Sequence, residues 1–143
     1  MIPPRFSHLI ELLEHRAQEQ PDALALGFLK NDVRPGSRLS YAELANRSAS
    51  LSARLQSLAA PGARALLILP TGLDFVVAFF ACLRAGVIAV PVPATHPARI
   101  NRAIGRLQAI AADADATVII SDASLRHARN GFREQYPALC DAQ

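Results

Sequence analysis

Three short apolar runs, separated by helix-length segments, most constrain how this chain can fold. Arg64–Leu69 (RALLIL), Val87–Val92 (VIAVPV) and Thr117–Ile120 (TVII) contain almost no polar residue. A strand with one wet face alternates apolar and polar residues, so an unbroken apolar run implies burial on both faces. Between the first two runs lies Leu73–Ala85, apolar nearly all round through Phe75, Val76, Val77, Phe79, Phe80 and Leu83. Such a helix packs on more than one side. Strand, helix, strand, helix, strand with short connections calls for parallel pairing and right-handed crossovers. The expected fold class is α/β: a mostly parallel sheet flanked by helices, doubly wound or close to it.

Local signals place the remaining elements. A first helix is expected from Ser7, as its cap, to Pro21, with Leu9, Ile10, Leu13 and Ala17 as the apolar stripe. A strand at Ala23–Leu29 and a brief one at Arg38–Leu39 make a small pair near the N-terminus, with Lys30–Ser37 as the turn around Pro35-Gly36. Ser40 and Glu43 stand at the spacing of a capping box, followed by Leu44, Ser48, Leu51, Leu55 and Leu58 on one helix face. Pro61-Gly62 ends that helix. Thr71 with Asp74 is expected to cap the helix Leu73–Ala85, and Gly86 to close it with positive φ. A fourth helix is expected over Arg99–Asp113 with Ile100, Ile104, Leu107 and Ala111 inward, and a polar, arginine-rich helix after Ser121. The whole of 1–143 reads as a single domain, with residues 1–6 and 136–143 expected as poorly ordered ends.

Composition closes off several function classes. The 143 residues carry a net charge of +3, and the basic residues are dispersed arginines with Lys30 the only lysine. With aromatics at 6%, there is no basic stripe interleaved with rings, so no nucleic-acid partner is expected. Cys82 and Cys140 lie far apart outside any ligand-spaced cluster, which argues against a metal site or disulfide framework and for a reducing, cytoplasmic setting. Pro70, Gly72, Asp74 and Arg84 interrupt the apolar stretch Ala65–Pro93, so no membrane span is expected. Two prolines within Met1–Phe6 and no apolar region there argue against a secretory signal.

Parallel α/β sheets bind ligands at the carboxyl ends of their strands, which directs attention to the loops Pro70–Gly72, Pro93–Ala98 and Ser121–Ser124. Pro70-Thr71-Gly72 opens a helix, but it has one glycine and no following lysine, so it reads as a structural turn rather than a phosphate loop. His96, beside Thr95, has no carboxylate placed by sequence to orient it and reads as an exposed loop histidine. His8, His15 and His127 lack metal-ligand spacing. Arg99, Arg102 and Arg106 share a helix face and read as solvated, while Phe75, Phe79 and Phe80 read as core. The residues alone give a fold and no catalytic, cofactor-binding or metal-ligating set.

Two further stretches carry a resemblance. LSYAEL at Leu39–Leu44 is similar to the first core motif of adenylate-forming enzymes, and LRAGVIAVPVP at Leu83–Pro93 to the second, with LPTGLDFVVAFFACLRAG (Leu69–Gly86) resembling the strand-turn-helix that joins them. Within that superfamily, VPVPATHPARINR at Val90–Arg102 most resembles fatty acyl-AMP ligases. The resemblance implies the N-terminal subdomain of the adenylate-forming fold. It also implies a parent activity in which a fatty acid and Mg-ATP give acyl-adenylate and pyrophosphate, the acyl group then passing to a carrier protein. Positions that transfer are structural: Tyr41 and Glu43 at a helix start, Gly86 at a helix end, Pro91 and Pro93 at a strand exit. The family's Ser/Thr/Gly-rich phosphate loop, its adenine- and ribose-binding motifs and its catalytic lysine have no match here. The resemblance therefore assigns no catalytic residue, and the segment alone is expected to be inactive and to bind neither ATP nor Mg2+ tightly. Its expected partners are the remainder of the ligase chain and, in the full-length family, an acyl carrier protein. The alternative expectation is a non-enzymatic α/β module that binds a partner or self-associates through apolar surface the missing parts would cover.

Overall fold

The computed structural model describes residues 6–30, 34–93, 100–122 and 138–141. In chain order the elements are α1 (Leu9–Glu19), β1 (Leu24–Lys30), β2 (Arg34–Ser40), α2 (Tyr41–Leu58), β3 (Arg64–Ile68), α3 (Leu73–Ala85), β4 (Ile88–Pro91), α4 (Ile100–Asp113), β5 (Ala116–Ser121) and β6 (Ala138–Asp141). β1 and β2 form an antiparallel pair, and the others a four-stranded parallel sheet in the order β4-β3-β5-β6. The expected parallel α/β core and N-terminal strand pair are both present. The arginine-rich helix expected after Ser121 falls outside the described residues, and β6 is a strand that the sequence reading does not include.

β3 is the centre of the sheet. Ala65, Leu66, Leu67 and Ile68 are all buried, and its alternate side chains feed two separate cores. Ala65, Leu67 and Leu69 face α2 and α3, meeting Leu51, Leu55, Ala78, Ala81, Cys82 and Ala85. Leu66 and Ile68 face α4, meeting Leu107 and Ala111. A third cluster joins Leu13 of α1, Leu39 of β2, Leu44 of α2 and Val77 of α3. α3 thus serves the sheet with one face and α1 and the strand pair with another, which is why its sequence is apolar nearly all round. Phe75 and Phe79 pack against the first cluster and Phe80 against the third, all three partly buried at the margin of the core.

Three buried stripes are narrower or placed differently than the sequence suggested. β4, read as buried on both faces, has Ile88 half exposed because it is flanked on one side only. In α1 only Leu13 is buried while Leu9 stays exposed, because the helix lies on the outermost layer. α2 buries Leu44, Ser48, Leu51, Ser52 and Leu55, leaving Leu58 exposed where the helix runs out past the core. Ser48 satisfies its hydroxyl by donating to the Ala45 carbonyl at 3.0 Å, so burying it leaves no orphaned donor.

Helix ends follow local chemistry with two departures. Ser40 and Glu43 do form the reciprocal capping box, the Glu43 N–H donating to Ser40 Oγ at 3.2 Å and the Ser40 N–H to Glu43 Oε2 at 2.7 Å. Gly86 closes α3 at φ 71°, its N–H reaching the carbonyls of Cys82 and Leu83. The cap of α1 is His8 rather than Ser7: His8 Nδ1 accepts from the Glu11 N–H at 3.1 Å. Ser7 instead gives both its N–H and its hydroxyl to the Glu11 carboxylate, at 2.8 and 2.7 Å. At α3 the cap position is Gly72 in extended backbone, and neither Thr71 nor Asp74 caps it. β2 is also longer than expected, running through Pro35-Gly36 with Pro35 opposite Leu29 at a shift of register. A proline is tolerated there because the pair is two strands wide and each strand has a free edge.

Candidate functional site

The strand order makes one point of the sheet special. From β3 the chain passes through α3 to β4 on one side, then through α4 to β5 on the other side of β3. Where successive connections leave a strand in opposite directions, the loops at the carboxyl ends part and open a crevice. Such a crevice exists between the ends of β3 and β5. A cavity of about 300 Å3 is lined by Leu69–Asp74 from the β3–α3 turn and Asp122 after β5, with Arg47 of α2 and Phe28 and Ser37 of the strand pair as the outer wall.

Two of the three loops singled out in the sequence meet here. Pro70–Gly72 forms the floor, and Asp122 stands beside the buried Ser121. Pro93 is described, but His96, Thr95 and the rest of 94–99 lie outside the described residues, as do Ser124 and His127. Of the arginine group, Arg99 lies outside too, Arg102 is placed only as helix backbone, and Arg106 is exposed on α4. The sequence reading missed Arg47, Phe28 and Ser37. No spacing rule links Arg47 to Asp74, which is 27 positions away, and only the packing of α2 on α3 brings them together.

The polar centre of the cavity is that pair, with Arg47 Nη2 donating to Asp74 Oδ1 at 2.7 Å. Both side chains are well exposed, so the pair contributes little stability of its own, roughly 0–1 kcal/mol. Its position matters more. Asp74 sits in the first turn of α3, where a carboxylate is favoured by the positive helix end, and the turn has no side-chain cap. The charged side chains among the described lining residues are Arg47, Asp74 and Asp122. The described residues hold no group of three or more His, Cys, Asp or Glu side chains able to grip a metal ion. No nucleophile–base pair is assigned among the described lining residues, whose titratable side chains are Arg47, Asp74 and Asp122. As chemistry, the described lining can seat a neutral or weakly polar group against apolar walls.

A parallel sheet with a crevice at its reversal point defines an open α/β domain, and comparison with known proteins says which kind. The chain belongs to the AMP-binding enzyme family, whose family model matches residues 13–140. It is 43% identical over 124 residues to the medium-chain-fatty-acid acyl-carrier-protein ligase JamA of Moorena producens (strain JHB), covering 87% of this chain and 21% of JamA. It is 31% identical over 140 residues to the long-chain-fatty-acid–AMP ligase FadD32 of Mycolicibacterium smegmatis, covering 94% of this chain and 21% of FadD32. Among solved structures it resembles a chain from the study of fatty acyl-adenylate ligases of E. coli and L. pneumophila, with a TM-score of 0.79 and 27% identity over 96% of this chain and 25% of that one. The chain therefore spans about a fifth of the length of the curated relatives it matches. The resemblance carried by Leu39–Leu44 and Leu83–Pro93 agrees with all three.

Proposed function

We propose that this chain is the N-terminal part of a fatty acyl-AMP ligase. In that reading the complete enzyme joins a fatty acid carboxylate to the α-phosphorus of ATP, releasing pyrophosphate, and hands the acyl group to the thiol of a carrier protein. The observation that carries it is the 43% identity to a fatty-acid ligase over nearly nine-tenths of the chain. The role of the segment is scaffolding: it supplies a rigid parallel sheet and one wall of the crevice.

The residues present do not fit Mg-ATP. Among the described lining residues the one cation, Arg47, is already engaged by Asp74 and so is not free to meet a triphosphate. No step of the reaction is assigned to these residues, and the phosphoryl chemistry belongs to other parts of the enzyme. A cytoplasmic setting suits an ATP-dependent ligase, and no helix of the described residues is long and apolar enough to cross a membrane.

The test is ATP–pyrophosphate exchange with medium- and long-chain fatty acids. The segment alone is expected to show no fatty-acid-dependent exchange, whereas the segment continued through the remaining ligase sequence is expected to turn over. Exchange by the segment alone overturns the scaffold role, and a complete chain inert with every fatty acid overturns the ligase reading. A second reading, a partner-binding module without catalysis, is favoured by the exposed Leu24, Leu29 and Ile88. It predicts association in sedimentation and binding of a hydrophobic dye.

A further inference from the structure

A second cavity, sharing no lining residue with the crevice, lies under α1. It measures about 260 Å3 and is walled by Leu9, Leu12, Leu26 and Phe80 among others, with Arg16 and Tyr41 as its polar members. The α1 residues define its long axis. Leu9 and Arg16 stand seven positions apart on one helix, about 10 Å at 1.5 Å per residue. Arg16 and Tyr41 belong to the same end. The chain leaving α1 is pinned to the start of α2 by Tyr41 N–H to the Ala23 carbonyl at 3.1 Å and Ala42 N–H to the Pro21 carbonyl at 3.0 Å.

Both polar groups are available. Arg47, Arg64 and Arg84 pair with Asp74, Asp115 and Glu14, and Arg16 takes part in none of these pairs. A groove with apolar walls along its length and a guanidinium and a phenol at one end matches a ligand of the same pattern. Apolar pockets take their orientation from a few placed polar groups, and a guanidinium prefers a carboxylate.

We propose that the groove between α1, β1, α2 and α3 binds an aliphatic monocarboxylate of medium length reversibly. The carboxylate lies against Arg16 and Tyr41, and the alkyl chain runs along Leu12 toward Leu9. This site is additional to any catalytic one. It does not rest on the adenylation reading, because the binding needs no nucleotide.

Calorimetric titration of the chain with octanoate and with octanol, alongside amide chemical shifts of α1, tests it. Octanoate is expected to bind saturably below about 1 mM, to move the α1 amides, and to bind more tightly than octanol. Arg16→Gln, at an exposed position and so expected to leave the circular dichroism spectrum unchanged, is expected to cost octanoate about tenfold in affinity and octanol nothing. Leu9→Asp, also exposed, is expected to weaken both ligands. Equal binding of the two by the unaltered chain, or no saturable binding of either, overturns the proposal. So does a concentration-dependent dimer in sedimentation whose formation alone moves the α1 amides, since the occupant is then a second copy of this chain. Exchange assays on the ligase have no bearing on these outcomes.

Discussion

α2 and α3 pack side by side and begin in opposite ways. α2 starts with every local device in place, Ser40 and Glu43 each satisfying the other's backbone. α3 starts on Gly72 with no side-chain cap, at the carboxyl end of the central strand, and its first-turn carboxylate is held by an arginine from its neighbour. At its other end the same helix is closed tightly by Gly86. Of these three ends, closure is complete at Ser40 and at Gly86 and relaxed at Gly72, the one that lines the crevice.

Four measurements break or sharpen this contrast. Gly86→Val should be the most damaging, costing about 2 kcal/mol in denaturant unfolding. It forces a β-branched residue to φ 71°, a backbone conformation that is strained for such a side chain even though the space around a new Cβ is ordinary. The matched change at the open end, Gly72→Ala, should cost about 0.5 kcal/mol or less, because its backbone is extended and no atom crowds a new Cβ closer than 4.0 Å. Equal losses for the two would dissolve the contrast. Next, Ser40→Ala should cost about 1 kcal/mol by removing half of the capping box. Asp74→Ala should cost less than about 1 kcal/mol, and the loss should shrink as salt is added, since both partners are exposed.

The smallest effect concerns the start of α1. The backbone N–H of Ser7, then its hydroxyl, hold the Glu11 carboxyl below the usual glutamate range. A folded-state pKa lower than the unfolded one means the contribution is complete above the ordinary carboxylate range and fades as pH falls through the folded value. Ser7→Ala should remove only the hydroxyl's share and so flatten, without abolishing, the acid-side slope of stability. An unchanged slope would show that the backbone donor alone sets the shift.

What was legible in the sequence was what is local. Ser40 and Glu43 are three residues apart, Gly86 follows directly on its helix, and RALLIL announces its own double burial. What was not legible depends on strand order and neighbours. VIAVPV looks as buried as RALLIL, yet β4 is flanked on one side only and Ile88 is half exposed. α2 runs to Leu58 as its periodicity implies, but the buried stripe stops at Leu55, because periodicity cannot say where the partner surface ends. Thr71 and Asp74 had the spacing of a cap, but Asp74 found Arg47 instead. The crevice inherits this limit: its floor, Pro70–Gly72, could be named in advance, whereas Arg47, Phe28 and Ser37 arrive from segments far away in sequence.

Cys82, on the face of α3 turned toward the sheet, is fully buried in the largest core. A thiol reagent is a molecule of finite size, and a side chain sealed between a helix and β3 offers it no approach. Modification at Cys82 must therefore wait for α3 to lift from the sheet. At low reagent its rate counts the equilibrium share of time α3 spends lifted, and at high reagent it counts how often α3 lifts. The chain carries, at the junction between its central helix and its central strand, a native clock for its own opening.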